Sequence, residues 1–112
     1  MMLGGVCVFL ALGPVDLRGA FDRLAAMTRL IVQQDPTSGA LYLFYNRRRN
    51  RLKALWWDKN GYVLLYKRLS KGTFPLPSRL DPTTAYIQIS QADLARLLAA
   101  LPIPIDHAPT YH

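Results

Sequence analysis

Five cations, Arg47, Arg48, Arg49, Arg51 and Lys53, fall within seven residues and run through Ala54-Leu55 into the adjacent pair Trp56–Trp57. Cations at this density repel one another and call for counter-charge. The planar fork of arginine matches phosphate and its face stacks on bases, so the chemistry this cluster suits is the holding of a polyanion. A solvated basic turn screened by salt is the alternative reading of the same residues. Lys67, Arg68 and Lys71 add three more cations on the segment that follows. Trp56, Trp57, Tyr62 and Tyr66 could stack bases, as aromatic side chains do on single-strand platforms, or fill a core. The cluster points to nucleic-acid phosphate, without separating DNA from RNA, and these eight cations are its candidate ligands.

Other chemistries have little to stand on. Both histidines, His107 and His112, lie at the C-terminal end, and Cys7 sits in an apolar run that reads as a buried strand. A Cys–His nucleophile pair is therefore not expected. No cluster has the ligand spacing of a zinc site. A metal-dependent nuclease needs converging carboxylates. Asp16, Asp22, Asp35, Asp58, Asp81 and Asp93 are instead scattered, mostly at cap and turn positions. A glycine-rich phosphate loop is missing. The expectation is a protein that is not an enzyme and uses no cofactor or metal. Asp16 with Arg18 reads as a helix cap beside an exposed arginine, or as a catalytic or partner-binding pair.

The elements that must position these residues can be read from composition and pattern. The chain has 112 residues, a net charge of +7, a sequence pI near 10.0 and no glutamate. That length fits one domain with a core large enough to need no disulfide or metal. A single cysteine forms no intrachain disulfide, which fits a reducing cytoplasm. The apolar start has no basic n-region and is too short to span a bilayer, so no membrane association is expected.

Val6–Leu12 reads as a strand ended by Gly13-Pro14. Asp16 stands where a helix cap belongs. Leu17, Phe21, Leu24, Thr28 and Ile31 recur at helical spacing, with Ala20 and Met27 beside them, which predicts a helix over 17–34. Residues 41–45 form a second strand, 46–50 the basic loop and 51–58 a third strand. Asn60-Gly61 is a strong hairpin signal leading into a fourth strand over 62–69. A two-residue turn there pairs Trp57 with Leu64, Leu55 with Tyr66 and Lys53 with Arg68, and sends Trp56 and Trp57 to opposite faces. Residues 74–82 are proline-rich and irregular, and 85–89 form a last short strand. Ser90-Gln91-Ala92-Asp93 resembles a capping box before a helix that ends near Leu101. The expected fold is α+β. It has a small antiparallel sheet, a three-stranded meander plus flanking strands, with two helices packed on one face. Residues 1–101 form the domain and 102–112 a loose proline-rich tail.

Several blocks of the chain also resemble the motifs of a known family. Val15-Asp16-Leu17-Arg18-Gly19-Ala20-Phe21-Asp22 with Leu24-Ala25 resembles "TD-x-R-x-G-hydrophobic-D-x-LA", and Asp35-Pro36-Thr37-Ser38-Gly39 resembles "DP-x-SG". Residues 47–58 resemble "RR-x-x-R-hydrophobic-K-hydrophobic-LWWD". Tyr66-Lys67-Arg68-Leu69, with Gly72 and Phe74, resembles "YKRLE-x-G-x-F". In order and spacing these are similar to the small TnpB-type accessory protein of the insertion sequence sixty-six transposon family. The resemblance implies a bacterial protein of a mobile element that serves transposition without catalysing it. Its partners would be a large DDE-type transposase and a second small accessory protein of the same element. It carries over as signature positions Asp16, Arg18 and Gly19 before the first helix, Arg47, Arg48, Arg51, Lys53, Trp56, Trp57 and Asp58 in the arginine–tryptophan block, and Gly61, Lys67, Arg68 and Gly72 after it. Val15 departs from the usual threonine or serine, and Ser70 from the usual acid, which leaves the last block more basic. The reading combines DNA binding through the basic hairpin, with Asp16 and Arg18 as a structural corner or partner contact. The alternative is an adaptor that docks the transposase through the same surface.

Overall fold

The computed structural model describes residues 5–77 and 83–104. Its strands are β1 (Val8–Ala11), β2 (Leu41–Tyr45), β3 (Arg51–Asp58), β4 (Gly61–Arg68) and β5 (Tyr86–Ile89). Helix α1 (Phe21–Met27) continues into a π-helical stretch, Thr28–Val32, and α2 spans Gln91–Leu98. The five strands form one sheet in the order β4-β3-β2-β1-β5. The expected meander β2-β3-β4 is antiparallel, as is β5 against β1. The sheet as a whole is mixed rather than antiparallel, because β1 runs parallel to β2. A parallel pair needs a crossover, and α1 supplies it.

The α+β class holds, but the two helices lie on opposite faces of the sheet rather than on one. One face, with Leu10, Leu43, Leu52 and Trp56, packs on Leu94 and Leu97 of α2. The other, with Ala11, Tyr42, Phe44 and Leu55, packs on Leu24 and Ala25 of α1. Every residue of β2 is buried. A strand covered on both faces reads as a continuous apolar run, which is what Leu41-Tyr42-Leu43-Phe44-Tyr45 is. Phe74, Leu76 and Ile103 complete the α2-side core. The chain at 103 is therefore packed rather than loose, and 105–112, with both histidines, lie outside the described residues.

Other differences from expectation have local causes. α1 starts four residues later than its apolar stripe suggests, at Phe21. Its cap is Ala20, with no side-chain bond, because Asp16 is engaged elsewhere. Thr28 Oγ donates to Leu24 O at 2.8 Å, and the π turn that follows rotates the chain so that Val32 is fully buried and Ile31 only half-buried. α2 does carry its serine cap, Ser90 Oγ accepting from Asp93 N at 3.0 Å. Cys7 precedes β1 and is exposed, not buried in the strand. The β3–β4 turn is Lys59-Asn60, with Lys59 at φ 57, and Gly61 is already in β4 opposite Asp58. The register therefore slides by two residues: Trp57 faces Tyr62, Leu55 faces Leu64, Lys53 faces Tyr66 and Arg51 faces Arg68. A slip of two keeps every side chain on its expected face.

Candidate nucleic-acid interface

The arginine loop is short and braced from within. Arg49 N donates to Asn46 O at 3.0 Å to close the turn, with Arg49 itself at φ 59. Asn46 Oδ1 accepts from Asn50 N and Arg51 N, and Asn46 Nδ2 donates to Asn50 Oδ1 at 2.8 Å. These bonds satisfy the loop's own backbone, so its arginines are left for other work. Neighbouring segments hold the loop from both sides. Phe74 N donates to Arg49 O and Leu69 N to Asn50 O, while Val15 N donates to Tyr45 O at 2.9 Å.

The segment before α1 forms the facing wall. Asp16 accepts two bonds from Arg18 Nε and one from Arg18 Nη2 at 2.6 Å, plus one from Arg18 N. The Arg18 side-chain bond, followed by its backbone bond, holds the Asp16 carboxyl well below the usual carboxylate range. Arg23 Nε secures the same corner through Asp16 O at 3.0 Å. Gly19 sits at φ +91, a conformation that favours glycine, and a Cβ there would come within 3.3 Å of Arg23 Cδ. Lys53 ties this corner to β3: its Nζ donates to Leu17 O at 2.6 Å and to Gly19 O at 3.0 Å, and lies 5.1 Å from the centre of the Tyr66 ring.

Between the two walls lies a cleft of about 590 Å³. Arg47, Arg48 and Arg51 line it from the hairpin, Asp16 and Arg18 from the facing corner, and Lys53 with Tyr66 from the floor. Three stretches far apart in sequence thus meet at one place. Arg68 stands directly opposite Arg51 at the edge of the sheet. Like charges opposite each other destabilise a strand pair unless an anion lies between them.

The remaining candidates disperse. Arg49 turns toward the Tyr45 ring, its guanidinium carbon 5.9 Å from the centroid. Lys67 pairs with Leu52, on the α2 side, and donates to Leu98 O near the end of α2. Lys71 is exposed in the turn after β4. Trp56 is 6% exposed in the α2-side core, which rules it out as a stacking platform. Trp57 is half-buried, meets Tyr62 edge-on at 5.0 Å and donates from Nε1 to Lys59 O. It lies six residues from Arg51, about 20 Å along the strand. The bracing roles of Asn46 and Asn50 escaped sequence reading. Their pairing is a side-chain geometry that the motif "Asn-Arg-Arg-Arg-Asn" hints at only through its flanking asparagines.

Among the described residues, no three of His, Cys, Asp and Glu gather in a way that could hold a metal ion. No described helix is long and apolar enough to cross a membrane. No solved structure matches the chain. An uncharacterized protein of Sinorhizobium fredii, y4hO, is 35% identical over 96 residues, covering 86% of this chain and 81% of its own. A second from the same organism, y4jC, is 30% identical over 97 residues, covering 87% and 80%. The family described as IS66 Orf2 like protein matches residues 6–107. All the blocks that build the cleft fall inside that match, and the chain belongs to the IS66 Orf2-like family of insertion-sequence accessory proteins.

Proposed function

We propose that this protein is a non-catalytic subunit of the transposition machinery that holds DNA phosphate in the cleft between the arginine hairpin and the Asp16–Arg18 corner. The observation that carries the reading is the meeting of Arg47, Arg48 and Arg51 with Arg68 set directly across from Arg51. A fold that keeps two arginines opposed at a strand edge gives up stability there, and an anion between them offsets the cost. Arg47 and Arg48 supply further donors whose fork fits a phosphate in two bonds. The large transposase and the second small accessory protein are the partners we assign on family grounds.

This reading makes a paired demand on one variant. Arg68→Gln removes a like-charge pair, so thermal stability should hold or rise slightly, while affinity for a short DNA duplex should fall several-fold. Stability and affinity falling together would mean that Arg68 is structural, and unchanged affinity would overturn the phosphate assignment.

A second reading, an adaptor that docks the transposase through the same surface, draws on Arg18. Its side chain is 91% exposed and already clamped by Asp16, which suits a fixed protein contact better than a mobile phosphate ligand. Pull-down of the transposase before and after nuclease digestion separates the two. Loss on digestion supports the DNA subunit, and survival supports the adaptor.

A further inference from the structure

We infer that the cleft takes an unpaired nucleotide of a single strand, with Tyr66 as its stacking surface. This rests on the phosphate-binding reading and names the form of nucleic acid that the site fits. Three observations carry it. First, the arginine hairpin is not a free ribbon. Its tip is bonded to the 69–74 segment through Asn50 O and Arg49 O, and its base to Val15 through Tyr45 O. A two-stranded ribbon enters a major groove only when its flanks are clear, and a groove about 12 Å wide leaves no room for the attached segments. A duplex can therefore touch the outer arginines but cannot bring a base edge to the floor.

Second, the cleft is concave and its volume, about 590 Å³, falls in the range of pockets that enclose a small organic group. Arg47, Arg48 and Arg51 line it together with Tyr66, so a backbone phosphate held by the arginines would leave its own sugar and base within reach of that ring. Third, the floor holds an aromatic ring left half-exposed. Tyr66 is 50% exposed although its neighbour across the strand, Lys53, sits over the ring at 5.1 Å. Its strand β4 is the edge of the sheet, so no further strand covers it. Cationic groove plus exposed ring is the combination that binds single strands without sequence preference.

Fluorescence anisotropy tests this with three labelled probes of equal length: oligo-dT, oligo-U and a blunt DNA duplex. At least one single strand should bind severalfold more tightly than the duplex, and the stronger of oligo-dT and oligo-U identifies the sugar preferred. Tyr66→Leu should weaken single-strand binding roughly tenfold, the loss of one stacked base, and leave duplex affinity within about twofold. Tyr66→Phe should retain the preference, and circular dichroism melting should show both variants folded. A duplex bound as tightly as either strand, or Tyr66→Leu lowering all three equally, would overturn the single-strand inference and leave the phosphate reading standing. Salt-insensitive or undetectable binding of every probe would overturn the phosphate reading, and this inference with it.

Discussion

Lys53 was legible in the sequence as one more cation of a phosphate clamp, yet its ammonium group is spent mainly within the protein. It donates to Leu17 O and Gly19 O and so fastens the corner before α1 to the sheet. Hydrogen bonds to a charged group contribute more than neutral ones, so Lys53→Met should cost about 1–3 kcal/mol in urea unfolding. An unchanged midpoint would show that the corner holds without it. Arg18 differs: its side chain is 91% exposed and, among the described residues, is clamped by Asp16. Arg18→Ala should stay within about 0.5 kcal/mol of the parent. If Arg18 serves as the protein contact, the variant should spare duplex affinity and reduce transposition in cells. If the variant unfolds, Asp16–Arg18 is a structural corner only. The carboxylates add a pH dependence with a definite sign. Asp16 is lowered by its bonds from Arg18, and Asp35 by those from Thr37 N and Oγ. Each therefore binds fewer protons folded than unfolded as the solution becomes acidic. Their contribution is intact above the unfolded value of about 3.9 and is lost as pH falls below it. Melting temperatures at stepped pH should show the fall beginning near 4, and Asp35→Asn should make it shallower.

At the scale of elements, the pattern of β2, β3 and β4 was readable because its signals are local: an unbroken apolar run, an arginine turn and a tight hairpin. The same alternation that predicted opposite faces for Trp56 and Trp57 survived a register error, since the turn moved by one residue and the pairing by two. Replacing each tryptophan by phenylalanine isolates the other. The Trp56→Phe protein, which keeps the half-buried Trp57, should be quenched more by acrylamide than the Trp57→Phe protein, which keeps the buried Trp56. Equal quenching would contradict the face assignment. What sequence did not carry was long-range. Nothing local tells that β1 pairs parallel with β2, and that pairing decides which face α1 covers. The start of α1 was misread for a related reason. Asp16 is a good cap by type, but the guanidinium two residues on took its carboxylate. The cleft was half legible: its cations were visible as a cluster, while the removal of Lys67 to the α2 side and of Arg49 toward Tyr45 depends on strand parity and loop geometry.

The described residues form a mixed five-stranded sheet with a helix on each face and a cationic cleft where the hairpin loop, the β1–α1 connection and the β3–β4 edge come together. The architecture separates jobs. Core residues on both faces fix β2 and β3, and the fixed hairpin holds its arginines in place without spending them on its own backbone. Phosphate held in this cleft makes affinity depend on salt. Each phosphate contact releases counter-ions, so four or five contacts should give log affinity against log salt a slope of roughly −4 for duplex DNA. Replacing Arg47, Arg48 and Arg51 together by alanine should flatten that slope by up to about three contacts while the protein stays folded. A parent protein whose affinity does not change with salt, or a folded triple variant with the parent slope, would contradict the account.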